Sequence, residues 1–220
     1  MPPDKPLAHD AMAFPETRVQ VTNETTLAAS RRLVDAGMSP LALNFANGKY
    51  PGGGFLAGAR AQEECLCRSS ALYHTLANDP MYAAHGRRSR PDSTDWAIYS
   101  PDVPVFRTDA GKELEKPWLL SFLTCAAPVA DRIGQPEAGD LLQRRIHRVM
   151  EIAHAYRHPA LVLGAWGCGA FGNDVHRTAR DFRNALETKF SAAFAEVVFA
   201  ITDWSDDRRY LGPFRDAFSP

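Results

Sequence analysis

Short apolar segments alternate with amphipathic segments along most of the chain, and this pattern predicts strands that alternate with helices. The predicted strands are residues 17–21, 41–46, 96–99, 103–106, 160–164 and 196–201. The predicted helices are residues 27–35, a segment that starts near residue 60, 140–157 and 175–187. A long apolar run covers residues 119–127, and the main loops are predicted at 91–94, 111–117 and 135–139. This order indicates an α/β fold in which a mainly parallel sheet is covered on both faces.

The composition is that of one compact domain. The chain has 220 residues, of which 45% are hydrophobic and 23% charged, and this is enough to bury a sizeable core. Its net charge of −1 argues against direct binding to duplex nucleic acid. Two basic clusters, residues 87–90 and 144–145, are either solvated surface or a patch that attracts an anionic polymer.

Nothing in the sequence predicts export or membrane insertion. Residues 1–18 have neither a cationic start nor a continuous apolar stretch, and no run approaches the ~18 apolar residues of a membrane span. The chain has four cysteines, which are Cys65, Cys67, Cys125 and Cys168. They include no CxxC pair, which indicates reduced thiols in a cytoplasmic protein. Cys65, Cys67 and His74 lie close in sequence, but their spacing does not fit zinc, so we expect no metal site.

One strand-loop-helix unit, residues 44–68, carries most of the candidate chemistry. Asn44 and Asn47 come at the carboxyl end of a buried strand, where open α/β sheets bind polar ligands. Residues 52–54 are three glycines, which allow backbone N–H groups to approach a ligand closely. Glu63 and Glu64 then lie in the first turn of a helix. Acidic residues are also common there without any function, because the helix dipole favours them.

A second glycine-rich segment, residues 164–173, also lies between a strand and a helix. Successive N–H groups at such a turn, followed by a helix amino terminus, can bind a diphosphate without a basic side chain. An ordinary tight turn would give the same pattern of glycines. The spacing differs from that of the dinucleotide-binding fingerprint, and the chain has no GxxxxGK[ST] phosphate loop.

The order of triple glycine, seven residues and then Gln-Glu-Glu resembles the signature of the poly(ADP-ribose) glycohydrolases of bacterial type. Further blocks resemble that family in the same order, namely VTNETT at 21–26, YSPDVPVFR at 99–107, LGAWGCGAFGND at 163–174 and FAITD at 199–203. The resemblance implies a three-layer α/β/α macrodomain-like fold with a mixed, mainly parallel sheet. It also implies one catalytic domain over residues 1–220, with short extensions at 1–15 and 205–220.

The resemblance assigns roles to individual residues. Glu64 is the expected catalytic acid and base, and Glu63 is expected to grip ribose hydroxyls. Adjacent helical residues project about 100° apart, so the two carboxylates cannot flank a sugar from opposite faces and need different roles. The expected ADP-ribose-binding residues are Asn47, Gly52, Gly53, Gly54, Gln62, Gly164, Gly167, Cys168, Gly169, Ala170 and Phe171. Of these, Asn47 and Phe171 are expected beside the distal ribose, and the loop from Gly164 to Ala170 is expected to bind the diphosphate.

The implied activity is hydrolysis of ribose–ribose O-glycosidic bonds in poly(ADP-ribose), mainly from the chain end, to release ADP-ribose. It implies a monomer without cofactors and a role in the DNA damage response. Two positions depart from the family pattern as bulky aromatics, Tyr50 before the triple glycine and Trp166 in the second loop. We expect Tyr50 and Phe171 to wall off the distal ribose. The alternatives are a hydrolase of mono-ADP-ribosylated protein or nucleic acid and a macrodomain that binds ADP-ribose without cutting it.

Overall fold

The chain folds around one six-stranded sheet. The structure, a computed structural model, describes residues 1–7 and 13–219. Its strands are β1 (Arg18–Thr22), β2 (Pro40–Phe45), β3 (Ala97–Arg107), β4 (Glu113–Cys125), β5 (Ala160–Leu163) and β6 (Glu196–Ala200). Its helices are α1 (Thr26–Asp35), α2 (Gln62–Ser69), α3 (Leu72–Leu76), α4 (Pro80–Gly86), α5 (Ala130–Ile133), α6 (Glu137–Ala155), α7 (Val175–Glu187) and α8 (Leu211–Phe218), with a 3-10 turn at Phe55–Ala57.

The strand order is β1-β6-β5-β2-β4-β3. Every neighbouring pair is parallel except β3 and β4, which form an antiparallel hairpin. The central strand β2 pairs with β4 through Leu43 and Leu123, and with β5 through Leu41 and Leu161. The sheet is therefore mixed and mainly parallel, as predicted.

Successive residues of the strands contribute to two separate cores. Leu41 and Leu43 of β2 pack with buried side chains of α6, α7 and α8 on one face of the sheet. Ala42, between them, packs with side chains of α1 to α4 on the other face. Because neighbouring strand residues point to opposite faces, this arrangement gives three layers and confirms the predicted α/β/α fold.

The hairpin of β3 and β4 differs from the sequence prediction. Instead of two short strands at 96–99 and 103–106, β3 is one strand with a register shift between Ser100 and Val103. Asp102 lies inside this shift with φ of +48°, as in a bulge. The loop predicted at 111–117 is also wrong, because β4 already starts at Glu113. Backbone pairing extends both strands beyond the apolar pattern, into a region where most side chains are solvated.

Four short helices, α3, α4, α5 and α8, were not predicted, because fewer than nine residues give too little periodicity to recognise. Helix α8 lies in the stretch 205–220 that was expected to be an extension, yet Phe214 is fully buried. Part of the other expected extension, residues 8–12, lies outside the described residues. No helix in the described ranges is long and apolar enough to cross a membrane.

Candidate active site

Two adjoining cavities open at the carboxyl edge of the parallel strands. The first, which we call the glutamate cavity, has a volume of about 270 Å³ and is lined by Asn47, Glu63, Glu64 and Phe171 among others. The second, the threonine cavity, has a volume of about 340 Å³. The residues that line both cavities are Phe45, Ala61, Gln62 and Gly169. Together the cavities form one elongated cleft.

Gln62 fastens the start of α2 to the central strand. Its Oε1 accepts from the N–H of Phe45 at 2.9 Å, and its Nε2 donates to the carbonyl of Leu43 at 2.8 Å. The same Nε2 lies 3.1 Å from Oγ1 of Thr26, the first residue of α1. The amide therefore holds the helix at the end of β2, and this places the two residues that follow Gln62 in the glutamate cavity.

Glu63 is buried, with 3% of its surface exposed, and both of its carboxylate oxygens have donors. Its Oε2 accepts from the N–H of Asn47 at 2.6 Å, and its Oε1 lies 3.3 Å from Nδ2 of Asn44. Asn44 in turn contacts Thr124 of the neighbouring strand at 3.1 Å. Glu63 therefore joins α2 to the loop after β2.

Glu64 is also buried, but only one of its oxygens is held. Its Oε1 accepts from the N–H of Gly54 at 3.0 Å, whereas its Oε2 has no hydrogen-bond partner among the described residues. A Cβ atom on Gly53 would lie 2.3 Å from Oε1 of Glu64. The triple glycine therefore allows the backbone to approach the carboxylate. Glu64 lines the glutamate cavity, and its buried Oε2 is a carboxyl atom that no donor among the described residues satisfies.

The pKa of Glu63 is raised from the ordinary value of 4.5 to about 7. Burial is the main cause, and the charge of Glu64 adds to it, while the N–H of Asn47 and the amide of Asn44 oppose it. The folded protein therefore keeps a proton on Glu63 under conditions in which the unfolded chain releases it.

This raised pKa predicts a pH dependence of stability. The stability that Glu63 contributes is present below pH 4.5 and is lost as the pH rises through about 7. At about 1.4 kcal/mol per pKa unit, the loss is on the order of a few kcal/mol. In the wild type, the melting temperature should fall between about pH 5 and pH 8. We expect a smaller fall in Glu63→Gln. In Glu16→Gln, which changes an exposed position, we expect the same fall as in the wild type. Equal slopes in wild type and Glu63→Gln would contradict this assignment.

The second glycine-rich loop lines the glutamate cavity. Within it, the N–H groups of Trp166, Cys168, Gly172 and Asn173 donate to carbonyls of the same loop. The N–H groups that take no part in these bonds include those of Gly167, Gly169, Ala170 and Phe171, and all four residues line the cavity. These N–H groups take no part in the backbone bonds of the loop, which makes the loop a candidate anion-binding turn.

Two residues of that loop that are predicted to bind substrate, Gly164 and Cys168, also pack against other parts of the protein. A Cβ atom on Gly164 would lie 2.7 Å from the carbonyl of Ala200, so this glycine allows close packing of neighbouring chain segments. The side chain of Cys168 is buried, and its Sγ lies 3.6 Å from the carbonyl of Trp166. Their contact with a ligand stays a prediction.

The two aromatic departures from the family pattern, Tyr50 and Trp166, have different surroundings. Tyr50 is 67% exposed and does not line the glutamate cavity, so the expectation that it walls off a sugar is corrected. The N–H of Tyr50 donates to Oδ1 of Asn47 at 3.0 Å. Trp166 is fully buried and forms part of the cavity floor. It does not protrude into the cleft.

Comparison with known proteins shows which family the chain belongs to. A family model described as the microbial-type PARG catalytic domain matches residues 6–108. The solved structure of poly(ADP-ribose) glycohydrolase from Thermomonospora curvata, bound to the inhibitor ADP-HPD, is 48% identical with a TM-score of 0.89. The match covers 92% of this chain and 79% of that chain. The chain belongs to the microbial-type poly(ADP-ribose) glycohydrolase family.

Further members of the glycohydrolase family give similar matches. The enzyme from Deinococcus radiodurans in complex with ADP-ribose is 44% identical with a TM-score of 0.89, and the match covers 94% of this chain and 85% of that chain. Another structure from Thermomonospora curvata is 46% identical with a TM-score of 0.91, and covers 96% and 80%. No curated protein matches the chain.

The threonine cavity of this glycohydrolase-family chain was missed by the sequence analysis. Its walls include Thr25, Thr26, Asp109, Thr202 and Tyr210. Thr25 caps α1 and its hydroxyl donates to Asp109 at 2.7 Å. The blocks at 21–26 and 199–203 were the available signal, since both lie at the carboxyl ends of parallel strands.

No metal centre is visible in the part of this glycohydrolase-family chain that the structure describes. Among the described residues, no group of three or more His, Cys, Asp or Glu side chains could hold a metal ion. Cys65, Cys67, Cys125 and Cys168 are all free thiols.

Proposed function

We propose that this protein is a poly(ADP-ribose) glycohydrolase that hydrolyses ribose–ribose O-glycosidic bonds and releases ADP-ribose. The observation that carries the proposal is the Glu64 carboxyl, which is buried in the glutamate cavity with Oε1 held by Gly54 and Oε2 without a partner among the described residues. Family membership supports it, because the relatives from Thermomonospora curvata and Deinococcus radiodurans are poly(ADP-ribose) glycohydrolases.

The cleft suggests how the terminal ADP-ribose unit is held. The distal ribose occupies the glutamate cavity beside Asn47 and Phe171, and its anomeric carbon faces Oε2 of Glu64. The diphosphate lies against the N–H groups of Gly169 and Ala170, which bind an anion without a basic side chain. The adenosine occupies the threonine cavity, because that cavity adjoins this loop at Gly169.

In the proposed reaction, one residue donates a proton in the first step and acts as the base in the second. Glu64 gives its proton to the 2′ oxygen of the leaving adenosine ribose as the bond from that oxygen to the anomeric carbon breaks. The electron pair leaves with the oxygen, and the sugar passes through an oxocarbenium-like state. Water adds to the anomeric carbon and returns a proton to Glu64. Through its hydrogen bonds to Asn44 and Asn47, Glu63 fixes the position of Glu64 relative to the loop that contains Asn47.

The activity is tested directly by offering two substrates. Purified protein should convert defined poly(ADP-ribose) to ADP-ribose, identified by mass, faster than it releases ADP-ribose from a mono-ADP-ribosylated peptide. Faster release from the peptide would identify a mono-ADP-ribosyl hydrolase instead. Binding of ADP-ribose without any turnover would identify a macrodomain that only binds.

We also propose that the enzyme cuts mainly from the chain end. Phe171 and the buried floor formed by Trp166 leave a small cavity around the distal ribose, which suits a terminal unit. Tyr50 takes no part in this wall. In a time course on long polymer, we expect monomeric ADP-ribose as the main product from the earliest samples. Early accumulation of free oligomers would show that internal bonds are cut.

The proposed position of the diphosphate predicts that a side chain at Gly169 weakens ADP-ribose binding more than it lowers the melting temperature. A Cβ atom on Gly169 would meet nothing within 4 Å, so Gly169→Val is compatible with the fold, and Gly169 lines both cavities. We expect at least a tenfold loss of ADP-ribose affinity by calorimetry, about 1.4 kcal/mol, with little change in melting temperature. Gly86→Val is a matched control, because that glycine is also in open space. Unchanged affinity for ADP-ribose in Gly169→Val would show that the diphosphate does not bind at this loop.

We propose that the enzyme is a cytoplasmic monomer, and the four free thiols support a reducing compartment. Removal of poly(ADP-ribose) would give it a role in the DNA damage response. Light scattering at working concentration tests the monomer, and fractionation of cells that express the protein tests the compartment.

A further inference from the structure

His85 lies behind the site in one defined protonation state. The side chain is 1% exposed, and its Nδ1 lies 3.0 Å from the carbonyl oxygen of Gly48. Because a carbonyl only accepts, Nδ1 must carry the hydrogen. Its Nε2 then accepts from the hydroxyl of Thr94 at 2.8 Å and from the N–H of Thr94 at 3.2 Å. The contacts therefore select the neutral ring with hydrogen on Nδ1.

The Gly48 carbonyl belongs to the peptide group that also orients Asn47. The other end of that peptide, the N–H of Lys49, donates to Oδ1 of Asn47 at 2.8 Å. A Cβ atom on Gly48 would lie 2.2 Å from Oγ of Ser93, so the peptide is closely packed against the loop that contains Thr94. Rotation of this peptide away from His85 would also break the bond to Asn47.

We propose that His85 is a positioning residue, which acts through the Gly48–Lys49 peptide to aim the side-chain amide of Asn47 into the glutamate cavity. The proposal rests on the proposed function, because it gives Asn47 a ribose to hold. With Oδ1 engaged by the backbone of the loop, the Nδ2 group is the end of Asn47 that remains to face the sugar. His85 itself touches no substrate.

Burial, more than any charged neighbour, favours the neutral ring. Burial lowers the pKa of His85, and Arg145 and Arg88 add to this effect, while the Gly48 carbonyl and Asp92 oppose it. A proton on Nε2 would face the two donor groups of Thr94. A histidine with a lowered pKa contributes stability that is present above its unfolded pKa of 6.5 and is lost as the pH falls through the folded value.

Two substitutions of His85 test the contacts of Nδ1 and Nε2 one at a time. In His85→Asn the Nδ2 group replaces Nδ1 and can still donate to Gly48, whereas in His85→Gln the side-chain amide reaches Thr94 and leaves the Gly48 carbonyl unpaired. We expect His85→Gln to lower kcat about ten- to a hundredfold, since a displacement near 1 Å has effects of that size. We expect His85→Asn to keep kcat within about threefold. Both variants should lower the melting temperature.

Amide hydrogen exchange provides a readout that needs no substrate. We expect several-fold faster exchange at Lys49 and Tyr50 in His85→Gln than in His85→Asn, and no change in His74→Asn, at an exposed histidine of α3. If His85→Gln does not fold, His85→Leu, which leaves the Gly48 carbonyl without a donor, should show the same direction of change relative to His85→Asn.

Equal kcat and equal exchange in the two His85 variants would overturn the proposal and leave His85 a packing residue. Loss of kcat in His85→Asn to the same extent as in His85→Gln would also overturn it. If wild-type protein does not hydrolyse poly(ADP-ribose), the proposed function fails, and the exchange comparison still decides whether His85 holds the Gly48–Lys49 peptide.

Discussion

Replacement of Glu64 by glutamine should abolish turnover of poly(ADP-ribose) while ADP-ribose affinity stays within about tenfold. The amide keeps the shape of the carboxyl and can still accept from the N–H of Gly54, but it cannot pass a proton to the leaving oxygen. The expected loss in kcat exceeds a hundredfold. Rates on defined polymer, together with calorimetry with ADP-ribose, measure the two quantities separately.

The control for this substitution is Glu16→Gln, which makes the same chemical change at an exposed position. It should keep full activity. Retention of more than a few per cent of activity in Glu64→Gln would show that another group transfers the proton. Glu63 would then be the next candidate, because it lies in the same cavity and its pKa is raised to about 7.

A single methyl group on Gly53 should remove most activity, because it would displace the carboxylate of Glu64. In Gly53→Ala the new Cβ would lie 2.3 Å from Oε1 of Glu64 and 3.1 Å from Oε2 of Glu63. Carboxylates held in a packed cavity must shift to admit it, and a shift near 1 Å has a cost on the order of a hundredfold in rate. We expect kcat to fall by about that factor.

The same loop offers a matched control for backbone strain. Gly53 and Gly58 both have positive φ, +59° and +86°, so alanine at either position has a similar backbone cost of about 1–2 kcal/mol. Only at Gly58 would the Cβ meet nothing within 4 Å. Gly58→Ala should therefore lower the melting temperature like Gly53→Ala but keep its kcat. Equal rates in the two variants would show that the glycine loop does not set the position of Glu64.

The strand and helix pattern was most informative where elements are long and buried. Residues 175–187 were predicted as a helix and are one, because its apolar face repeats over thirteen residues. The hairpin was mispredicted because pairing between β3 and β4 extends into solvated segments, and residues of β4 such as Glu115 give no apolar signal. Helix α8 was missed for a related reason, since eight residues near the chain end show little periodicity.

The sequence by itself determined the α/β class, the family resemblance and the segments that form the site, because glycine runs and adjacent glutamates are local features with local consequences. Only the tertiary structure decided how those residues divide their roles. Gln62 is bound to the backbone of β2, Glu63 is satisfied by donors from the loop after β2, and Glu64 keeps one unpartnered oxygen within the described structure. These differences depend on partners far apart in sequence, such as Thr124 beside Asn44 and His85 behind Gly48. No local pattern contains that information, because burial and hydrogen bonding are set by which segments the fold brings together.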